Sequence, residues 1–141
     1  MTDCVIKKRV IIADDDEDDR MLLHSAFQEN RIDVDLEFVF DGSDLMKLLS
    51  TEKPNQVSFI LLDLNMPRKD GREALKEIKQ DPNLRKIPVI IFTTAKNESE
   101  IIKCYDLGAN TYIVKPDGFE ALRNVVINLS TYWLDTAAIP A

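Results

Sequence analysis

The chain has 141 residues, enough for one ordinary domain with a core that needs no disulfide staples. Hydrophobic residues make up 45% and charged residues 30%, a globular balance that excludes a disordered chain. Asp plus Glu number 25 against 18 for Lys plus Arg, and a net charge of -7 argues against a nucleic-acid binder, whose footprint is a basic stripe. Along the chain the first apolar run is Val10-Ile11-Ile12-Ala13, continuous and β-branched, which is how a strand buried on both faces of a parallel sheet reads. A helical stretch follows, with Leu22, Leu23, Ala26 and Phe27 on one face. Leu36 to Phe40 alternates instead, as an edge strand does, and leads to a second helix marked by Leu45, Leu48 and Leu49. Phe59-Ile60-Leu61-Leu62 is the next continuous run, and Ala74, Leu75 and Ile78 give the helix after it. Asp81-Pro82 and Pro88 punctuate the chain before the run Val89-Ile90-Ile91-Phe92. Ile101, Ile102 and Tyr105 then share a helical face, which ends near Gly108. Tyr112-Ile113-Val114 is the last run, again predicted as a buried strand. Phe119, Leu122, Val126, Leu129 and Trp133 recur at steps of three and four and predict one long closing helix.

Five strand-then-helix alternations without a repeat or linker make one doubly wound α/β domain with a five-stranded parallel sheet and five helices. The expectation is a single domain over residues 1–141, with a core at about 8–134 and a tail at 135–141. Only 26 residues follow Lys115, so no attached output domain is expected. Cys4 and Cys104 are too few for a disulfide framework or a zinc site. No stretch reads as a signal peptide or a membrane span, which makes the cytosol the expected address.

In open α/β sheets the ligand lies outside the carboxyl ends of the strands. The four continuous runs lead there into Asp14-Asp15, Asp63, Thr93 and Lys115, so these side chains are expected at one rim. Taken singly, each has a plain explanation. The acidic run from Asp14 to Asp19 is a favourable helix start, a strand-end Asp often caps the next helix, and Thr93 and Lys115 could be ordinary surface residues. Their joint placement needs more. Two carboxylates about 4 Å apart repel by about 4 kcal/mol at an effective dielectric of 20, so such a cluster protonates or recruits a cation. With oxygen donors alone on offer, the ion is hard, and Mg²⁺ suits one or two carboxylates plus waters and a phosphate. Lys115 and the Thr93 hydroxyl add a positive charge and a donor suited to a phosphoryl group. A carboxylate facing such a group is a nucleophile, and Asp63, at the end of a central strand, is the best placed. The stretch Asn65-Met66-Pro67 offers a backbone carbonyl to the metal, and Asp70-Gly71 reads as a turn into the next helix.

These motifs, in this order, resemble the receiver domain of bacterial two-component response regulators over about residues 8 to 134. The resemblance is carried by Asp14-Asp15, by Leu62-Asp63-Leu64-Asn65-Met66-Pro67 with Asp70-Gly71, by Thr93-Thr94-Ala95, by Gly108-Ala109 and by Tyr112-Ile113-Val114-Lys115-Pro116. It implies a flavodoxin-like fold, similar to the chemotaxis receiver, with strand order 2-1-3-4-5. It also implies Asp63 as phosphoacceptor, with Asp15, Asp63 and the Asn65 backbone carbonyl holding Mg²⁺ and Asp14 acting through water. Thr93 and Lys115 would contact the phosphoryl oxygens, Tyr112 would be the switch aromatic beside Thr93, and the Lys115-Pro116 peptide would be cis. The implied partner is a histidine kinase. The block Pro67-Arg68-Lys69-Asp70-Gly71-Arg72-Glu73, Asp81-Pro82 before Ile87-Pro88, and Tyr132-Trp133-Leu134 running to Ile139-Pro140 look most like stand-alone receivers associated with bacteriophytochromes. Asp117, where the family commonly has an apolar residue, is a departure.

Other readings fit less well. A metal-dependent phosphatase with an Asp nucleophile needs a second Asp two positions on, where this chain has Asn65. A receiver-like scaffold that takes no phosphate would not need the full set Asp14, Asp15, Asp63, Thr93 and Lys115. A P-loop is absent from the sequence. His24 reads as a solvated helix residue and Cys104 as core filler. Val125, Ile127, Tyr132 and Leu134 fall off the core stripe of the last helix, with Ile139 and Pro140 beyond, which points to a homodimer built on that helix and tail, the alternative being a tail folded back over its own sheet.

Overall fold

A computed structural model describes residues 8–51 and 57–140. Cys4 and the first residues of the expected domain lie outside the described residues. Five strands and five helices alternate as β1 (Arg9–Ala13), α1 (Glu17–Glu29), β2 (Asp35–Val39), α2 (Gly42–Thr51), β3 (Val57–Leu62), α3 (Gly71–Gln80), β4 (Val89–Thr93), α4 (Glu98–Asp106), β5 (Thr111–Val114) and α5 (Phe119–Ser130). All strand pairs are parallel and the order is 2-1-3-4-5, as expected. Among the described residues no helix is long and apolar enough to cross a membrane.

Strand alternation divides the core into two layers. Val10, Ile12, Phe59, Leu61, Ile90 and Phe92 face one side, where Leu23, Ala26 and Phe27 of α1 and Leu122, Val126 and Leu129 of α5 cover them. Ile11, Ala13, Ile60, Leu62, Val89 and Ile91 face the other, under Leu45 and Leu49, Ala74, Leu75 and Ile78, and Cys104. Cys104 is fully buried, as its reading as core filler requires.

Four expectations need correction. The run Tyr112 to Val114 is an edge strand: β5 has one neighbour, its residues are half-buried, and Val114 is exposed. In α4 the large apolar residues Ile102 and Tyr105 are exposed, while Cys104 is the one the sheet covers. Tyr105 stays outside because its hydroxyl oxygen accepts the Tyr112 N–H at 3.1 Å, a group that the open sheet edge leaves unpaired. The Lys115-Pro116 peptide is trans, the isomer of lower energy for such a bond. Finally, the closing helix widens after Ser130 into a π-helical turn, Thr131–Thr136, with the Ala137 N–H donating to the Tyr132 carbonyl at 2.7 Å. Each residue of such a turn rotates the chain less than the α-helical step of about 100°. Leu134 therefore swings into the core, and Trp133 is only partly buried.

Candidate functional site

β1, β3, β4 and β5 end side by side, and Asp14, Asp63 and Lys115, which follow three of them, form one cluster. The Asp14 N–H donates to the Val39 carbonyl at 3.1 Å and the Asp63 N–H to the Ala13 carbonyl at 3.0 Å, which fixes both chains as they leave the sheet. Asp14 then turns the chain into α1 by accepting the Asp16 N–H at 2.9 Å. Asp16 caps that helix through the Asp19 N–H, with Glu17, Asp18 and Asp19 in the first turn where the helix dipole favours them. On the other side Asp70 and Glu73 form a capping box at the start of α3. Gly71 sits so close to the phosphoacceptor candidate that a Cβ there would lie 2.1 Å from the Asp63 carbonyl oxygen.

Asp14, Asp15 and Asp63 each present a carboxylate oxygen, all within 4.8 Å of one another. Asp14 and Asp63 are buried and Asp15 is exposed, so the cluster opens to solvent on the Asp15 side. Two buried unit charges at that spacing repel by about 3 kcal/mol at an effective dielectric of 20. The Lys115 ammonium offsets this, with Nζ lying 2.6 Å from Asp19, 2.9 Å from Asp14 and 3.1 Å from Asp63. Burial pulls the Lys115 ammonium down, but the Asp19 and Asp14 carboxylates outweigh it and hold the amine charged well above the usual lysine range. Burial pushes the Asp14 carboxyl up to about 6, against the Asp16 N–H and Lys115, which pull it down. The donor set is three carboxylates with no sulfur or imidazole, which fits a hard divalent ion.

Thr93 is fully buried, and its Oγ1 has no hydrogen-bond partner. A buried hydroxyl left unpaired costs about 1–3 kcal/mol. Thr93→Val should therefore raise the melting temperature of the unphosphorylated protein, by an amount equivalent to about 1 kcal/mol. Melts with beryllofluoride and Mg²⁺ should show a smaller rise on adding the phosphoryl mimic than the parent does. An unchanged response to the mimic would remove Thr93 from the site.

The Asn65 backbone lies beside Asp63, its N–H donating to Asp63 Oδ1 at 3.4 Å, and its side chain is exposed. The Tyr112 hydroxyl donates to the Ala95 carbonyl at 2.7 Å, tying β5 to the loop that follows Thr93. His24 is exposed and 6.3 Å from the Phe38 ring, and Asp117 is exposed as well. Asp19 and Arg20 were not singled out from the sequence. Arg20 donates to the Asp14 carbonyl at 2.9 Å and stacks on the Phe40 ring at 3.9 Å. The signal for Asp19 was available: a cap at Asp16 places it one helical turn on, over the strand ends.

Comparison with known proteins gives a consistent picture. A family model described as the response regulator receiver domain matches residues 10–127. The response regulator Rcp1 of Synechocystis is 37% identical over 138 residues, covering 95% of this chain and 94% of that protein. The crystal structure of the phosphorylated cyanobacterial phytochrome response regulator RcpA superposes with a TM-score of 0.89 at 37% identity, over 96% of this chain and 99% of that one. The Mn²⁺-bound form of Rcp1 superposes with a TM-score of 0.85 at 36% identity, over 95% and 99% of the two chains.

Proposed function

Since the chain belongs to the response-regulator receiver family, we propose that Asp63 is its phosphoacceptor and that Asp15, Asp63 and the Asn65 carbonyl hold Mg²⁺. The observation that carries this reading is the meeting of the Asp63 carboxylate with the ammonium of Lys115, whose backbone N–H donates to the Thr93 carbonyl. An Asp63 oxygen attacks the phosphorus of a kinase phosphohistidine, the P–N bond breaks, and its electron pair returns to the imidazole nitrogen. Lys115 and Thr93 meet the phosphoryl oxygens, and Asp14 would act on a bound ion through water. A bound Mg²⁺ would neutralise charge on the transferring oxygens. Thr93 is drawn toward the new oxygen, and Tyr112, bonded through Ala95 to the next loop, carries the shift to the surface of α4 and β5.

Receiver domains serve signalling, bind a divalent metal in an acidic pocket and interact with histidine kinases. The kinase in this reading is of the photoreceptor type, which the likeness to a phytochrome response regulator supports. The protein acts in the cytosol, without nucleic acid or membrane, and turns over no substrate beyond its own phosphoryl group. A phosphatase reading is disfavoured because Asn65 stands where the second carboxylic acid would be needed.

The metal assignment has a direct test. Binding of the ion stabilises the fold by RT ln(1 + [L]/Kd), roughly 1–2 kcal/mol at ten to thirty times Kd. The parent's melting temperature should rise with Mg²⁺, and Asp15→Ala should abolish the rise. A full rise surviving that substitution places the ion elsewhere.

The switch is read through the receiver's own surface, and a second copy of the chain docks on α5 and the turn after it. Tyr132 is exposed there, lining a groove with Ile113, Val125, Leu129 and Trp133, and Ile127 is exposed at a separate groove of α5, with Asn30, Arg31 and Ile32. Leu134, assigned to this patch from the sequence, is buried and contributes nothing to it. Light scattering at micromolar concentration should give the mass of a dimer, and Tyr132→Ala should shift the protein toward monomer. A monomeric mass for the parent, with and without beryllofluoride, rejects the dimer.

A further inference from the structure

Asp41 stands outside the carboxylate cluster, yet it is only 1% exposed. One of its oxygens accepts the Asp44 N–H at 2.8 Å and so caps α2. The other takes the Arg68 guanidinium, with Nε at 2.9 Å and Nη2 in a second, closer contact. The Asp44 N–H first, and Arg68 after it, hold the Asp41 carboxyl below its usual range, so it is charged wherever the acidic site binds a cation. Arg68 lies in the loop between β3 and α3 at a φ of 63°, a left-handed conformation that L side chains rarely adopt. Its side chain is 69% exposed, so apolar burial does not hold it there. A second bond joins the same two loops, since the Gly42 N–H donates to the Lys69 carbonyl at 2.8 Å. The approach is so close that a Cβ on Gly42 would sit 2.3 Å from that oxygen. Three residues before Arg68 in the clamped loop is Asn65, whose backbone lies against Asp63.

We propose that Asp41 is a positioning residue for the acidic site, holding the β3–α3 loop through Arg68 so that the Asn65 carbonyl and Asp63 carboxylate meet the divalent ion already arranged. The inference rests on the assignment of the Asn65 carbonyl as a metal ligand. A loop held in its bound conformation loses little freedom when the ion arrives, and a released loop must be ordered by the ion itself. The effect therefore falls on ion affinity, while the groups that carry out phosphoryl transfer are untouched once the ion is bound.

The experiment titrates Mn²⁺ into the parent, Asp41→Asn, Arg68→Gly and the double variant, following free Mn²⁺ by its paramagnetic resonance signal. Asn still caps α2 while losing the charge that binds Arg68. Gly at position 68 accepts the left-handed backbone and removes the guanidinium, including its 3.9 Å contact with Asp44. Each single variant should bind Mn²⁺ roughly three- to tenfold more weakly, and the double variant no more weakly than either, because both changes cut one tether. The rate of labelling by acetyl phosphate should return to the parent value at saturating Mg²⁺. Parent affinity in both single variants, or a double variant whose loss is the product of the two, overturns the proposal. Arg68→Gly decides alone should Asp41→Asn fail to fold. An Asp15→Ala variant that binds Mn²⁺ like the parent would instead overturn the metal-site reading itself.

Discussion

Asp63→Asn should leave the chain unlabelled by acetyl phosphate and Mg²⁺ under conditions in which the parent gains one phosphoryl group. Attack on phosphorus needs a carboxylate oxygen, and an amide in the same place is not a nucleophile. The neighbouring carboxylates do not substitute for it in this reading. Asp14 is buried, with one oxygen on the Asp16 N–H and the other on Lys115. Asp15 is exposed and has no role here beyond the metal. The Asn variant also removes one charge from a cluster of three, so its unphosphorylated form should melt no lower than the parent and respond less to Mg²⁺. Mass spectrometry of the intact chain, followed by mapping, is the measurement. Labelling as strong as the parent's, mapped to Asp14 or Asp15, would move the acceptor.

Gly71→Ala should have the largest effect of any single methyl group added to this protein. The new Cβ would lie 2.1 Å from the Asp63 carbonyl oxygen and 2.8 Å from the Leu64 Cα, both backbone atoms with no side-chain freedom to move aside. Forcing a methyl group into packed backbone costs about 1–3 kcal/mol. For a domain of this length that lowers the melting temperature by roughly 3–12 °C. The displaced atoms belong to the phosphoacceptor and the residue after it, so labelling by acetyl phosphate should slow as well. Gly118→Ala is the comparison: its φ is 88°, but nothing lies within 4 Å of the added carbon. That variant should carry the backbone strain alone, about 1–3 kcal/mol for a region open essentially to glycine, and its loss of labelling should be the smaller. A Gly71→Ala protein that melts and labels like the parent would contradict the close contact.

The fold was legible because a parallel sheet covered on both faces writes its strands as unbroken apolar runs. Val10 to Ala13 and Phe59 to Leu62 are each buried at every position. The same rule misjudged Tyr112 to Val114, since an apolar run does not say whether a second strand lies beside it. In α4 Ile101, Ile102, Cys104 and Tyr105 compete for one narrow contact. Cys104 occupies it, while Tyr105 turns its hydroxyl to the free N–H of the edge strand. Asp14, Asp15, Asp63, Thr93 and Lys115 could be named together because each stands at or just after the end of a strand, and strand ends are visible locally. For Asp19 the helix cap marks a place over the strand ends but not the partner, and for Asp41 neither is marked, because what they hold lies far along the chain. Asp19 meets Lys115 across 96 positions and Asp41 meets Arg68 across 27, and hydrophobic periodicity carries no record of such pairs.

The π-helical turn after Ser130 changes how the length of this chain is to be compared with others. Its buried leucine, Leu134, stands five positions beyond Leu129, where an uninterrupted α-helix would return to the same face after three or four. A widened turn of this kind is what one inserted residue produces when a helix absorbs it without breaking. A relative with a plain helix here is therefore expected to be one residue shorter between the two buried positions. An alignment that refuses a gap at this point would pair this chain's Leu134 with a solvent-facing residue. Deleting Thr131 or Tyr132 should restore the narrower turn and leave the core filled, whereas the same deletion one turn earlier, at Ile127, would rotate Leu129 out of it.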